Sequence, residues 1–93
     1  MATESKLETK LHNRVKKLGG WAIKFTPLSF TGFPDRIVLL PPGRFWLVEM
    51  KAPKGELRAR QQLVHKQLRR MGFEVWVINT EELLQNFLKQ IEL

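Results

Sequence analysis

The sequence predicts an α/β fold in the order α-β-β-β-α-β-α, with a mixed four-stranded sheet flanked by helices. Three observations predict it. Three segments carry apolar residues at helical spacing, and four short apolar runs lie between them. A Pro-Pro-Gly loop joins the second and third runs, which makes them an antiparallel hairpin. A helical segment joins the third and fourth runs, so these two should be parallel.

The first half of the chain predicts one helix and three strands. Apolar residues follow helical spacing from about Glu4 to Leu18, and Gly19-Gly20 ends that helix. Branched and aromatic residues then indicate three strands, at about residues 21–26, 35–40 and 45–51. Residues 45–48 are all apolar, which predicts that the third strand is central and buried on both faces.

The second half predicts a turn, a helix, a strand and a last helix. Proline and glycine indicate a turn over residues 52–56. A helix follows from Leu57 to Met71 with Gly72 placed to cap it, and then a strand over residues 73–79. Thr80 is an N-cap residue type at the start of the final helix. The apolar side of that helix comprises Leu83, Leu84, Phe87, Leu88 and Ile91.

The loop between the second and third strands decides which side chains share a face of the sheet. A two-residue loop at Pro42-Gly43 would put Asp35 and Glu49 on opposite faces. A three-residue loop that ends with Gly43 in a left-handed conformation pairs Asp35 with Glu49 instead. We predict that three-residue loop, or a bulge with the same effect.

Asp35, Glu49 and Lys51 should then meet at one end of the sheet. Buried charges are costly unless they meet a partner, a metal or a substrate. The two carboxylates are hard oxygen ligands suited to Mg²⁺ or Mn²⁺, and the Met50 carbonyl could be a further ligand. Lys51 could orient the attacking water, lower its pKa or neutralise charge in a phosphodiester transition state. The alternative is a turn residue at Asp35 and a surface ion pair between Glu49 and Lys51.

Three further polar residues have two interpretations each. Gln61 is an amide on the predicted inward stripe of the second helix, so it either touches a metal-bound water or phosphate or bonds to backbone. Glu8 is either an acid that supports the metal or, by default, a solvated glutamate. Lys24 is either a phosphate contact or, by default, an ordinary strand-face lysine. The other members of the inward stripe are Leu57, Val64, Leu68 and Met71.

The chain is strongly basic, with a net charge of +7 and a pI near 10.3. This balance favours a polyanionic partner, most often nucleic acid, over a protein that is basic by chance. Residues 54–70 contain a single acid, Glu56, and should contact the phosphate backbone with strong salt dependence. The basic residues there are Lys54, Arg58, Arg60, Lys66, Arg69 and Arg70. A second basic surface, on the first helix, comprises Lys10, Arg14, Lys16 and Lys17.

Missing residue types exclude several classes. Without cysteine there is no disulfide, thiolate metal site or cysteine nucleophile, which suits a reducing cytoplasm. Without tyrosine, recombinases and topoisomerases that use a tyrosine nucleophile are excluded. His12 and His65 are too few and too isolated for a two-histidine zinc site. We find no signal peptide and no run of the roughly 20 apolar residues that span a bilayer, and we expect one domain over residues 1–93.

Together these residues make the chain resemble the VRR-NUC domain, a branch of the PD-(D/E)xK nuclease superfamily. The likeness runs from about Glu8 to Ile78, and the order and spacing of its residues carry it. Those residues are Glu8, Gly19-Gly20, Lys24, Gly32-Phe33-Pro34-Asp35, Glu49-Met50-Lys51, Gly55, Gln61 and Gly72. Many relatives have Val or Leu where Met50 stands, a mild departure since only its carbonyl should matter.

The resemblance implies a restriction-endonuclease-like core and metal-dependent cleavage of DNA phosphodiester bonds. It assigns the metal, Mg²⁺ or Mn²⁺, to Asp35, Glu49 and the Met50 carbonyl. It assigns catalysis to Lys51 and supporting roles to Gln61 and Glu8. Compact relatives resemble phage or bacterial proteins that dimerise and act on branched DNA such as four-way junctions. A homodimer in the cytoplasm of a bacterial or phage-infected cell is therefore expected.

Two other functions compete with a nuclease. A nucleic-acid-binding module without turnover would need only the basic helices, whereas the trio of Asp35, Glu49 and Lys51 favours the enzyme. An interaction protein would instead present Phe30 and Trp46, together with Phe33, to a partner.

Overall fold

A computed structural model describes residues 3–92 and places four strands in one sheet, in the order β1-β2-β3-β4. The elements are α1 (Glu4–Lys17), β1 (Trp21–Lys24), β2 (Arg36–Leu40), β3 (Arg44–Met50), α2 (Ala59–Arg70), β4 (Val75–Ile78) and α3 (Glu81–Ile91). The first three strands are antiparallel neighbours, and β3 and β4 are parallel. The predicted order of elements and the mixed sheet are confirmed.

The hairpin of β2 and β3 has the register that the sequence predicts. Leu40 pairs with Arg44, so three residues connect the strands, and Gly43 has a φ of 63°. Residues with a Cβ atom rarely adopt this left-handed conformation, which explains why the loop ends with glycine. Because the residue numbers of each pair have a constant sum, Asp35 lies across from Glu49, one step beyond the last ladder pair.

The main core lies on the face of the sheet that α1 and α3 cover. Even-numbered residues of β2 and β3 point to this face and meet the predicted apolar sides of both helices. Its buried members include Leu7, Leu11, Val15, Val38, Val48, Met50, Leu84, Phe87 and Ile91. The other face carries a smaller cluster under α2, formed by Leu47, Val64, Leu68 and Val75.

Part of the α2 face stays open, from β1 across the sheet to Phe73, which precedes β4. Trp21 pairs with Leu39, which pairs with Phe45, and all three therefore share the face of Leu47. Trp21 is 69% exposed, and Ile23, Phe45 and Phe73 are exposed as well. We call these four exposed residues, Trp21, Ile23, Phe45 and Phe73, the open apolar face.

Several predicted boundaries shift. β1 ends at Lys24 and β4 begins at Val75, which shortens both strands. α2 begins at Ala59 because Arg58 keeps an extended backbone (ψ 158°) and donates its N–H to Gln61 Oε1 at 2.9 Å. The N-cap at Thr80 is confirmed, since its hydroxyl accepts the N–H of Leu83 at 3.1 Å.

Two predictions about burial are wrong, and the predicted burial of residues 45–48 on both faces holds only from Trp46 onward, since Phe45 is 42% exposed. Met71 does not belong to the inward stripe: it is the C-cap residue of α2 and is 65% exposed. Trp46 cannot serve a partner because it is buried in the main core against Phe87. Among the described residues, none of the helices is long and apolar enough to cross a bilayer.

Candidate active site

Two carboxylates lie together on the α2 side of the sheet. The side chain of Glu49, near the end of β3, is only 5% exposed. Asp35 precedes β2, and its Oδ1 accepts the N–H of Met50 at 3.0 Å. That hydrogen bond anchors Asp35 to β3 just where the ladder between the two strands has ended. Since Asp35 lies across from Glu49, both acids project toward α2.

The pKa of Asp35 is raised from 3.8 to about 6. Burial is the largest cause, because it removes water from the ionised carboxyl. The N–H of Met50 opposes the rise, and the negative charge of Glu49 adds to it. A cation between the two acids would favour the ionised form of Asp35.

Lys51 lies at the mouth of this site. Its Nζ is 3.9 Å from Glu49 Oε2, and its side chain is 21% exposed. The ammonium group therefore reaches both the buried acid and the solvent. A strand that alternates side chains between faces accounts for this placement, because Glu49 and Lys51 are two residues apart.

Gln61 bridges the helix and the acid. Its Nε2 donates to Glu49 Oε2 at 3.4 Å, while its Oε1 accepts the N–H of Arg58 at 2.9 Å. The backbone bond thus orients the amide so that its NH₂ group faces the carboxylate. Gln61 is bonded to backbone, as one interpretation expects, and it also contacts Glu49. Its contact with a metal-bound water or a phosphate stays a prediction.

His65 is the neighbour that the sequence analysis missed. It is fully buried in α2, and its Nε2 is 3.8 Å from Glu49 Oε1. The available signal was its position four residues after Gln61, which puts both side chains on one helix face.

Glu8 and Lys24 lie on the other side of the sheet. Glu8 Oε1 is 2.8 Å from Nη2 of Arg36, a buried residue of β2. Arg36 Nη1 in turn donates to the main-chain carbonyl of Asp35 at 3.2 Å. Glu8 therefore reaches Asp35 through Arg36, whereas Lys24 shares a surface notch with Glu8 and Arg36. The structure does not bring these two residues into contact with Glu49.

The sequence and the fold both match known proteins. Residues 3–82 match the profile of the VRR-NUC domain. The chain belongs to the VRR-NUC domain family. It is 38% identical over 80 residues to "Putative nuclease p44" of Acyrthosiphon pisum secondary endosymbiont phage 1, with 86% of each chain covered. A solved VRR-NUC domain superposes with a TM-score of 0.84 at 27% identity, covering 95% of this chain and 97% of the other. The resemblance is confirmed, and these findings together support a nuclease.

Some basic residues of this VRR-NUC domain make hydrogen bonds or ring contacts within the protein, and others are exposed to solvent. Arg69 donates to the Val75 carbonyl at 2.7 Å, and Arg60 donates to the Thr31 carbonyl at 3.3 Å while it stacks over Phe30. The remaining basic residues of the predicted DNA-binding segment are exposed: Lys54, Arg58, Lys66 and Arg70.

The basic surface of α1 is partly neutralised. Lys10 pairs with Glu81 at 2.7 Å, and Arg14 pairs with Glu92. The α2 side therefore presents the less compensated positive charge, next to the two acids.

The donor set fits a hard divalent cation. Residues 3–92 hold no group of three or more His, Cys, Asp or Glu side chains arranged around one ion, so further ligands must come from main chain or water. The N–H of Met50 points at Asp35, and within a strand the carbonyl of the same residue points to the same side. Glu49 Oε1 is buried without a hydrogen-bond partner in this part of the chain. Two carboxylates and one carbonyl are the oxygen ligands that Mg²⁺ and Mn²⁺ prefer.

Proposed function

We propose that this VRR-NUC domain is a divalent-metal-dependent endonuclease that hydrolyses DNA phosphodiester bonds and prefers branched DNA such as four-way junctions. The observation that carries the proposal is the pair of acids, Asp35 and Glu49, held on one face of the sheet with Lys51 beside them. An acid with a raised pKa next to a second buried acid is costly to ionise. A bound cation would remove that cost.

Asp35, Glu49 and the Met50 carbonyl would hold Mg²⁺ or Mn²⁺. The ion would supply Lewis acidity and an activated water for attack on phosphorus. Lys51 stands at the solvent side of Glu49, where its charge stabilises the phosphate as negative charge builds up. Gln61 keeps the carboxylate of Glu49 oriented through the bond that Arg58 anchors.

Glu8 supports the site indirectly. It neutralises Arg36, whose guanidinium binds the main-chain carbonyl of Asp35. This contact stabilises the start of β2, where Asp35 must be held against Glu49. Lys24 lines the same notch as Glu8 and Arg36, and it would contact a phosphate of DNA that passes along the α1 side of the sheet.

DNA contact is proposed for the basic residues that flank the acids. Lys54, Arg58 and Arg60 precede or begin α2, beside Gln61, and Lys66 and Arg70 continue along that helix. Arg69 contributes mainly structure, since it caps β4 through the Val75 carbonyl. Affinity that rests on phosphate contacts should fall steeply with salt.

A homodimer is proposed on the open apolar face. Trp21, Ile23, Phe45 and Phe73 expose large apolar surfaces that a lone domain would leave in water. A second copy would bury them and place two sites on one branched substrate. We further propose that residues 1–93 form a single nuclease domain in each subunit. The protein would act on DNA in the cytoplasm of a bacterial or phage-infected cell.

Cleavage of labelled substrates tests the function. A four-way junction, a flap, a linear duplex and a single strand are incubated with protein in Mn²⁺, in Mg²⁺ and in EDTA. We expect metal-dependent cuts, fastest in the junction, and loss of cutting in Asp35→Ala and Lys51→Ala. Lys89→Ala, which removes an exposed lysine of α3, serves as the matched control and should cut like the wild type.

Two outcomes would overturn the proposal. One is cutting by Lys51→Ala at the wild-type rate. The other is salt-sensitive binding without any metal-dependent cut, which would indicate a nucleic-acid-binding module.

A further inference from the structure

His65 is a fully buried polar residue without a hydrogen-bond partner among residues 3–92. Neither its Nδ1 nor its Nε2 is bonded there, and the same is true of Glu49 Oε1, which it faces. Buried polar groups are nearly always hydrogen-bonded, so two such groups that face each other need an explanation. Val64 and Leu68, the other buried residues of α2, belong to the small apolar cluster on this face of the sheet, so a polar side chain at position 65 is the exception on this side of the helix.

The two oxygens of Glu49 have different neighbours. Oε2 faces Gln61 at 3.4 Å and Lys51 at 3.9 Å, on the side that opens to solvent. Oε1 faces His65 Nε2 at 3.8 Å, on the closed side under α2. This separation is longer than a hydrogen bond. A small rotation of the carboxylate or of the imidazole ring would shorten it to hydrogen-bonding distance.

We propose that His65 is a positioning residue that donates its Nε2–H to Oε1 of Glu49 and thereby leaves Oε2 available for a divalent cation. This inference rests on the proposed function, because it gives Glu49 a metal to hold. Carboxylates that ligate metals are commonly held by a hydrogen bond from a second residue, and losing that residue weakens metal binding. His65 itself is not a ligand in this proposal, because Glu49 stands between its ring and the open side.

The first test compares Mn²⁺ binding in three variants by calorimetry, with the melting temperature measured in metal-free buffer. His65→Leu should weaken Mn²⁺ binding by about 10–100-fold while the metal-free protein stays folded. His65→Gln should recover most of that loss, because its amide can donate from a similar position. Val64→Ala, the adjacent buried residue of α2, should lower the melting temperature and leave Mn²⁺ binding within about twofold of the wild type, in contrast to the loss expected in His65→Leu. Equal Mn²⁺ affinity in His65→Leu and the wild type would overturn the proposal.

A second test needs no metal and separates this inference from the nuclease proposal. Long-range ¹H–¹⁵N spectra of the imidazoles report which ring nitrogen carries the hydrogen. We expect the hydrogen of His65 on Nε2, and we expect Glu49→Gln to shift that resonance while exposed His12 is unchanged. A hydrogen on Nδ1 alone would refute the positioning role even if cleavage were observed. The expected spectrum in a protein that fails to bind Mn²⁺ would instead contradict the proposed function.

Discussion

Replacing Asp35 by asparagine should stabilise the metal-free protein. Burial and the neighbouring Glu49 raise the pKa of Asp35 from 3.8 to about 6, so its ionisation opposes folding. At about 1.4 kcal/mol per pKa unit the full effect is ~3 kcal/mol. Because the carboxyl retains some contact with water, we expect about 1–2 kcal/mol. Asparagine keeps an Oδ1 that can accept the N–H of Met50 at nearly the same place.

The pH dependence gives the sign of the effect. Below the unfolded-state pKa of 3.8 the carboxyl is protonated in both states, and the variant gains nothing. Its advantage grows as the pH rises and is complete above about 6. Urea unfolding at pH 4, 5, 6, 7 and 8 in EDTA should show near equality at pH 4 and the full difference at pH 8. The melting temperature should rise by about 4–8 °C per kcal/mol.

A matched variant separates charge from hydrogen bonding. Asp35→Ala removes the charge and also the acceptor for Met50, so it should be about 0.5–1.5 kcal/mol less stable than Asp35→Asn at every pH. Both variants should lose cleavage. An asparagine variant that is less stable than the wild type at pH 8, or a difference that does not change with pH, would refute the assigned electrostatics.

Three further predictions concern the same region. Protons should compete with the cation for Asp35, so Mn²⁺ affinity measured by calorimetry should fall about tenfold from pH 7 to pH 5; an unchanged affinity would mean that Asp35 is not a ligand. Gln61→Leu leaves the N–H of Arg58 and the Oε2 of Glu49 without this partner, and should lower the free energy of unfolding by about 1 kcal/mol and slow cleavage; a loss of stability alone would make Gln61 purely structural. Lys54 has a φ of 67°, so Lys54→Gly should stabilise the turn by about 0.5 kcal/mol in urea unfolding, yet reduce the salt slope of DNA binding by about one; an unchanged slope would remove Lys54 from the interface.

Local rules explain what the sequence could predict. The hairpin register followed from the loop length and the glycine at position 43, and the apolar stripe of α3 followed from spacing alone. These features depend on residues that are close in the chain. Asp35 and Glu49 could be placed on one face because a single short loop relates them.

Tertiary contacts explain what it could not. Met71 looks apolar and inward in sequence, but α2 ends at Arg70 and Met71 is its exposed C-cap residue. The start of α2 depends on a side-chain bond that Gln61 accepts from the N–H of Arg58, and arginine is not a usual N-cap residue. The distance between the His65 and Glu49 side chains depends on the rotation of α2 about its axis and on the register of β3. The spacing of apolar residues in the sequence determines neither closely enough to predict this contact.

The two faces of the sheet carry different features of the molecule. Most of the apolar burial lies with α1 and α3, while the acids lie with α2 and its smaller cluster. Substitutions around the acids therefore affect the cluster that contributes the smaller share of apolar burial to the free energy of unfolding. The larger apolar cluster under α1 and α3 is therefore expected to keep the domain folded when exposed residues on the α2 side are replaced.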